Sequence, residues 1–137
     1  MIDVLSDANV AFKWFHSEEE EDVTAARELL AAHAARRVAL AVLDLTSYEI
    51  GNILIKRRVA GVGERTSQLL EVLAAICPAL QPEPGELRLA ATLAERHGLS
   101  FYDGIYAAVA EWRGAQLATF DSALLDAGLG TRPGALG

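Results

Sequence analysis

The chain has 137 residues, of which 52% are hydrophobic and 23% charged, so it has enough apolar material for one compact domain and lacks the composition of a disordered chain. It has 12 Lys and Arg residues and 19 Asp and Glu residues. The resulting net charge of −7 argues against a protein that holds nucleic acid by a basic surface alone. This charge is compatible with a protein that brings phosphate to carboxylates through metal ions.

The cysteine and histidine content and the lengths of the apolar runs exclude further classes of protein. Cys77 is the only cysteine, so no intrachain disulfide is possible, which fits a reducing cytoplasm. The three histidines are far apart in sequence, without the spacing of a zinc site. The first residues lack the features of a signal peptide, and no apolar run approaches the roughly 20 residues of a membrane span. We therefore expect a cytoplasmic protein with no membrane contact.

Short apolar runs alternate with segments of helical periodicity along the chain. The predicted strands cover residues 2–6, 38–43, 79–81 and 116–120, of which 79–81 is weak. The predicted helices cover residues 10–15, 23–37, 46–59, 66–76, 85–96, 102–113 and 122–127, and an acidic run at 17–22 opens the second. The unbroken apolar run 38–43 is typical of a parallel strand covered on both faces.

This order of elements predicts an α/β sandwich. The expected core is a mostly parallel central sheet of four to five strands flanked by helices. We expect one domain over residues 1–137. Four glycines and one proline lie in residues 128–137, which predicts a loose tail there.

Four acidic residues, remote in sequence, are expected to converge at one edge of this sheet. Asp7 follows the first predicted strand and Asp121 follows the last. Parallel strands end at the same edge, which is where open α/β sheets bind ligands. Glu49 lies in the first turn or so of the helix after strand 38–43, and Asp103 opens the helix after Gly98-Leu99-Ser100.

Each of these acids also has a simpler interpretation. Asp7, Asp103 and Asp121 each precede a predicted helix, and an aspartate N-cap contributes about 1 kcal/mol. Glu49 lies inside a helix, where no cap role fits. Together, four carboxylates in a small volume repel one another unless a cation is present. Oxygen ligands alone indicate Mg²⁺ or Mn²⁺, ions that activate water for attack on a phosphodiester.

Several polar residues are candidates for supporting roles. Thr119, two residues before Asp121, faces the same side of a strand, and Asn9 follows Asp7 by two. Asn52 shares a helix face with Glu49. The alternative for all three is ordinary turn or surface polarity. Two further acids, Asp3 and Asp44, are interpreted as strand-start and turn residues, with a secondary ligand role left open.

A basic segment follows Glu49 on its helix. Lys56, Arg57 and Arg58 are candidates for a phosphate contact beside the cleft. Cations also favour the C-terminal end of a helix, which explains the segment equally well.

The acids stand in segments that resemble the PIN domain family, and most of all its VapC-type toxins. The similar segments are VLSDANVAFKWF, LDLTSYEIGNIL and AERHGLSFYDGIYAAVAEWRGAQLATFDSALL, which together run over almost the whole chain. The resemblance implies a metal-dependent endoribonuclease toxin that cuts RNA, with Asp7, Glu49, Asp103 and Asp121 as metal-binding acids. It also implies inhibition by a VapB-like antitoxin and a homodimer. The chain departs from the family in Asp44 and in its overall acidity.

Two other functions and one interface remain open. A receiver-like phosphoacceptor switch is also α/β with clustered acids, but resemblance implies that it needs a late lysine, and Lys13 and Lys56 are the only lysines here. An inactive PIN-like scaffold for protein contact is the other alternative. Apolar bulk beyond what a small domain needs predicts an interface. The residues singled out for it are Val10, Phe12, Trp14 and Trp112.

Overall fold

The computed structural model describes residues 1–15 and 21–136. The strands are β1 (Val4–Ser6), β2 (Leu40–Leu43), β3 (Ala79–Leu80) and β4 (Gln116–Ala118). The helices are α1 (Ala8–Lys13), α2 (Glu21–Ala34), α3 (Asp44–Lys56), α4 (Val62–Ile76), α5 (Pro84–His97), α6 (Phe101–Trp112) and α7 (Ser122–Asp126), followed by a 3₁₀ turn at Pro133–Ala135. Of the acidic run predicted to open the second helix, residues 17–20 lie outside the described residues.

The four strands form one sheet in which every pairing is parallel, which agrees with the mostly parallel sheet of four to five strands that the sequence predicts. The strand order is β3-β2-β1-β4, and Val4 of β1 pairs with Leu40 on one side and Gln116 on the other. The chain runs outward from β1 through β2 to β3 and then returns to the far side of β1. The strand order therefore reverses beside β1, the position at which open α/β sheets form ligand crevices.

Both faces of the sheet are covered by helices, because alternate residues of each strand point to opposite sides. Val4, Val42 and Ala118 belong to a core shared with α1, α2, α3 and α4. Leu5 and Leu117 belong to a second core shared with α5, α6 and α7. This arrangement explains why the strands are apolar without alternation, and it confirms the predicted α/β sandwich.

Three of the four residues predicted to form an interface lie in the core, so the choice of Val10, Phe12 and Trp14 is wrong. Val10, Phe12 and Trp14 are buried, and the indole Nε1 of Trp14 donates a hydrogen bond to the carbonyl of Ala26 at 3.0 Å. These side chains join α1 to α2 and the sheet. Only Trp112 is exposed, at 58%.

The C-terminal segment packs against β4, contrary to the loose tail predicted for residues 128–137. The amide of Thr131 donates to the Leu117 carbonyl at 2.8 Å, and the amide of Thr119 donates to the Thr131 carbonyl at 3.1 Å. Pro133 is buried. Glycine content does not indicate a loose segment here, because Gly130 lies against the Thr119 side chain, where a β-carbon has no room.

Helices α5 and α6 pack closely against each other. A β-carbon at Gly104 would lie 2.5 Å from the Ala90 carbonyl oxygen, so glycine allows this approach. At the other end of α6, Arg113 binds the buried Glu86 of α5 through Nε at 2.8 Å and through a second nitrogen at 2.9 Å. In the described part of the chain, no helix is both long and apolar enough to cross a membrane.

Candidate active site

Asp7 lies where β1 ends and is 5% exposed. It is the N-cap of α1, since its Oδ1 accepts from the amide of Val10 at 2.9 Å. Its Oδ2 accepts from the Thr119 hydroxyl at 2.5 Å, and its own amide donates to the Ala118 carbonyl at 3.1 Å. Asp7 therefore links the start of α1 to the segment at the end of β4.

The pKa of Asp7 reflects the low solvent access of its carboxylate. Burial raises its pKa to about 6, and the charges of Glu49 and Asp103 add to that increase. The hydrogen bonds from Thr119 and Val10 act in the opposite direction but do not cancel the burial. The cap interpretation is correct for Asp7, but it does not account for a buried charge with two further acids nearby.

Glu49 lies in the second turn of α3, one turn further in than the sequence indicates. Its Oε1 accepts from the hydroxyl of Tyr106, a residue of α6, at 2.7 Å. Partial burial raises the pKa of Glu49, the charge of Asp103 raises it further, and the Tyr106 hydrogen bond opposes both.

Asp103 lies in the first turn of α6, and Asp121 directly precedes α7. Ser100 rather than Asp103 is the N-cap of α6, since its Oγ accepts from the Asp103 amide at 3.1 Å, so a capping role for Asp103 is wrong. Asp121 does cap α7, with Oδ1 accepting from Ala123 at 2.8 Å. Burial and the Asp121 charge raise the pKa of Asp103.

The four acids form a chain of mutually repelling charges. Asp7 interacts with Glu49 and Asp103, Glu49 with Asp103, and Asp103 with Asp121. Within residues 1–15 and 21–136, no three Asp, Glu, His or Cys side chains lie close enough together to hold one ion. Coordination by three or more of them therefore requires the side chains to move closer. The donor set fits Mg²⁺ or Mn²⁺, because it consists of carboxylate oxygens whose repulsion a cation removes.

The supporting residues differ in their placement. Thr119 is buried and joins two acids, because its hydroxyl donates to Asp7 and accepts from the Asp121 amide at 2.9 Å. Asn9 and Asn52 are exposed on α1 and α3. Asp3 is exposed and accepts from the Ala39 amide at 2.7 Å, while Asp44 accepts from the Leu45 amide at 2.8 Å. The Asp3 contact joins the start of β1 to the residue before β2, whereas the Asp44 contact lies within the start of α3.

The basic segment lies at the C-terminal end of α3. Lys56 is the last residue of the helix and Arg57 is its C-cap, positions at which cations are favoured. The Arg57 guanidinium lies 4.8 Å from the centre of the Phe12 ring. All three basic residues are exposed, about two helical turns from Glu49.

Two residues beside Glu49 are not among those predicted from the sequence. Tyr106 and Thr46 are buried at 1% and 0% exposure, and their hydroxyl oxygens lie 2.7 Å apart beside Glu49. A signal existed, since Tyr106 follows Asp103 by three and Thr46 precedes Glu49 by three, which places each pair on one helix face.

A cleft lined by Phe120, which precedes Asp121 in sequence, is also not predicted from the sequence. It encloses about 400 Å³ and has Phe120 in its wall. The Lys13 ammonium lies 5.5 Å from the centre of the Phe120 ring. The lining residues are Glu21, Asp22, Ala25, Phe120, Arg132, Gly134 and Ala135.

Comparison with known proteins agrees with this fold. The PIN domain profile matches residues 4–128. Ribonuclease VapC3 of Pyrobaculum aerophilum is 36% identical over 91 residues, which cover 64% of this chain and 70% of that protein. The crystal structure of PAE2754 from the same organism superposes with a TM-score of 0.67 at 31% identity, covering 98% of this chain and 89% of the other.

A toxin–antitoxin complex from Klebsiella pneumoniae superposes with a TM-score of 0.69, covering 95% of this chain and 97% of the other, but its 17% identity shows the fold alone. The receiver-like alternative is wrong, because the profile match covers nearly all of the described sheet and helices. This chain belongs to the PIN domain family.

Proposed function

We propose that this chain is a VapC-type endoribonuclease toxin that hydrolyses RNA phosphodiesters with a divalent metal ion. The observation that carries the proposal is the set of four carboxylates, from four separate elements of a PIN fold, which repel one another where the strand order reverses. The name of the similar Pyrobaculum protein, a ribonuclease, supports the same reaction.

Asp7, Glu49, Asp103 and Asp121 are the residues that hold the ion. Mg²⁺ or Mn²⁺, when bound, supplies an activated water and neutralises phosphate charge. Thr119 keeps Asp7 and the backbone of Asp121 in a fixed relation through its two hydrogen bonds. Asn9 and Asn52 are exposed polar groups on the helices that carry Asp7 and Glu49, and we assign them contacts with water or RNA at the margin of the site.

Basic groups near the site are the phosphate contacts. Lys56 and Arg58 are exposed at the end of α3, while Arg57 is partly engaged by the Phe12 ring. A chain with a net charge of −7 attracts a polyanion poorly as a whole. RNA binding is therefore expected to depend on the metal ion as well as on this segment.

Two protein partners belong to the proposal, a VapB-like antitoxin and a second copy of this chain. Exposed apolar side chains suit such contacts, since large exposed apolar groups commonly mark interfaces. Those of the helices are Tyr48, Ile55, Val72, Leu87, Phe101, Tyr102 and Trp112. Sedimentation of the purified chain tests the homodimer, and a strict monomer at high micromolar concentration would remove it from the proposal.

The reaction is tested by incubating the purified chain with end-labelled single-stranded and structured RNAs in Mg²⁺, Mn²⁺ or EDTA. We expect cleavage with either metal, none in EDTA, and none for Asp7→Asn or Glu49→Gln. Asp126→Asn, which changes an exposed acid outside the site, is expected to cut as the wild type does. Metal-independent cleavage, or full activity of Asp7→Asn, would contradict the mechanism. A folded chain that cuts none of these RNAs would favour the inactive scaffold.

A further inference from the structure

Glu49 differs from Asp7 and Asp121 in what fixes its side chain. Asp7 and Asp121 accept hydrogen bonds from backbone amides of the helices that they cap. Glu49 lies within α3, where the amides are used by the helix itself, and its Oε1 accepts from a side chain of another helix, the Tyr106 hydroxyl, at 2.7 Å. Its position therefore depends on α6.

The Tyr106 hydroxyl is itself fixed from its other side. Its oxygen lies 2.7 Å from the Thr46 hydroxyl oxygen, which accepts from the Leu43 amide at 3.2 Å. An ionised carboxylate only accepts, so Tyr106 donates to Glu49 and must accept from Thr46. Each donor thus points toward Glu49, from the end of β2 through Thr46 and Tyr106. Hydrogen bonds in such a directed chain strengthen one another, and the last, to a charge, is the strongest.

This chain of hydrogen bonds is buried and complete. Thr46 and Tyr106 are 0% and 1% exposed, and no buried polar side-chain atom in the described residues is without a partner. Burial also raises the pKa of Tyr106, so its hydroxyl remains a donor. Ionised Glu49 is the only end of the chain that reaches the candidate site.

We propose that Tyr106, anchored by Thr46, is the positioning residue that holds the Glu49 carboxylate for metal binding. The inference rests on the proposed function for the identity of the ligand, but its geometry is independent of RNA. Tyr106 touches neither the ion nor the substrate. Its role is to fix one ligand that the backbone cannot fix, so its removal lowers metal affinity more than it disturbs the fold.

The test measures Mn²⁺ affinity of the full chain by titration calorimetry, with the melting temperature recorded in EDTA. Tyr106→Phe keeps the ring and removes the donor, and we expect Mn²⁺ binding to weaken by about 10- to 100-fold, the usual effect of losing a hydrogen bond to a metal ligand. Thr46→Val is expected to weaken it less and to lower the melting temperature, because the Leu43 amide loses its acceptor. Thr46→Ser keeps the hydroxyl and is expected to restore both quantities.

Tyr48→Phe is the matched control, since it removes an exposed hydroxyl next to Glu49 on α3. Unchanged Mn²⁺ affinity in Tyr106→Phe, with a lower melting temperature, would assign Tyr106 a purely structural role and overturn the inference. If the wild type binds no Mn²⁺, the proposed function fails, and NMR decides the inference separately. We expect a slowly exchanging Tyr106 hydroxyl proton that shifts in Glu49→Gln, and no shift would overturn it.

Discussion

At the scale of single residues, Asp7 combines two roles that oppose each other. As the N-cap of α1 it stabilises the fold, but as a buried carboxylate near two other acids it is costly when ionised. The raised pKa of about 6 gives the balance, because the folded state holds the proton more tightly than the usual value of 3.8 allows. Stability is therefore lost as pH rises from 3.8 to about 6 and stays reduced above that.

Asp7→Asn is expected to stabilise the metal-free fold while abolishing cleavage. Asn keeps an oxygen for the Val10 amide and removes the buried charge. A pKa difference from 3.8 to about 6 corresponds to at most about 3 kcal/mol at neutral pH. Urea unfolding in EDTA measures it, and the advantage of the variant is expected to shrink as pH falls below about 6. Equal stability of the variant and wild type at pH 7 would mean that Asp7 is well solvated.

The residue types alone predict part of the site. Asp7 and Asp121 can be predicted because they follow strand ends, which a parallel sheet brings to one edge, and Thr119 because it lies two residues before Asp121. Tyr106 and Thr46 are not readable in the same way. Their apolar neighbours make both segments look like ordinary helix, and the contact between them depends on how α6 lies against α3.

At the scale of elements, the strands and helices are predicted closely, and the differences have local causes. Helix α1 begins at Ala8, two residues before its predicted start, because Asp7 supplies the cap. Strand β4 ends at Ala118 rather than at residue 120, and the Thr119 hydroxyl turns toward the Asp121 amide. Side-chain hydrogen bonds of this kind compete with regular backbone structure, and periodicity does not reveal them.

The contact between α5 and α6 is expected to depend on the ion pair of Glu86 and Arg113. Arg113→Met leaves the buried Glu86 carboxylate without its cation, which costs on the order of 3 kcal/mol. Arg113 holds the pKa of Glu86 below its usual value, so the ion pair stabilises the fold at pH values above that usual pKa. This stabilisation is lost as pH falls through the lowered pKa. Urea unfolding at pH 7 and at acid pH measures both effects.

Arg88→Met is the control for this ion pair, because Arg88 is an exposed cation on α5. It is expected to unfold close to the wild type, as exposed charges contribute little. A loss of stability in Arg113→Met that stays the same after Glu86 is protonated would point to lost packing of the Arg113 stem instead.

The C-terminal segment is expected to influence the site through Gly130. In Gly130→Ala the new methyl meets the γ-methyl of Thr119, the residue whose hydroxyl binds Asp7. We expect a stability loss of about 1–3 kcal/mol and slower RNA cleavage, since overpacking forces the neighbour to shift. Gly134→Ala is the matched control, because its methyl would lie 3.8 Å from Ala25 in ordinary contact. Cleavage by Gly130→Ala at the wild-type rate would show that Thr119 tolerates the displacement.

At the scale of the whole molecule, strand order decides where the acids lie. The apolar runs predict a parallel sheet, but they do not predict that β4 lies beside β1 rather than beside β3. That placement brings Asp7 and Asp121 to the ends of neighbouring strands, where Thr119 links them. The sequence therefore predicts the class of fold and the candidate acids, while their connection depends on a pairing of distant segments.

Net charge leads to the last prediction, that divalent metal stabilises the whole fold. The four site acids account for −4 of the net charge of −7, and burial and mutual repulsion raise the pKa values of Asp7, Glu49 and Asp103. A divalent ion removes this repulsion only in the folded chain, because only folding brings the acids together. Binding at a hundred times Kd adds about 2.7 kcal/mol, and for a domain of this size each kcal/mol raises the melting temperature by about 4 °C.

Melting curves in EDTA, Mg²⁺ and Mn²⁺ measure this effect, and the rise is expected to be about 10 °C at saturating metal. Glu49→Gln is expected to melt higher than the wild type in EDTA but to gain less from metal, because one repelling charge and one ligand are both gone. Asp126→Asn, an exposed acid outside the site, should follow the wild type in every condition. The same ion also attracts RNA phosphate to an acidic protein. EDTA should therefore weaken RNA binding by more than a matched change in salt concentration does through the few basic contacts. A melting temperature that does not change at metal concentrations supporting cleavage would mean that the four carboxylates do not act as one site.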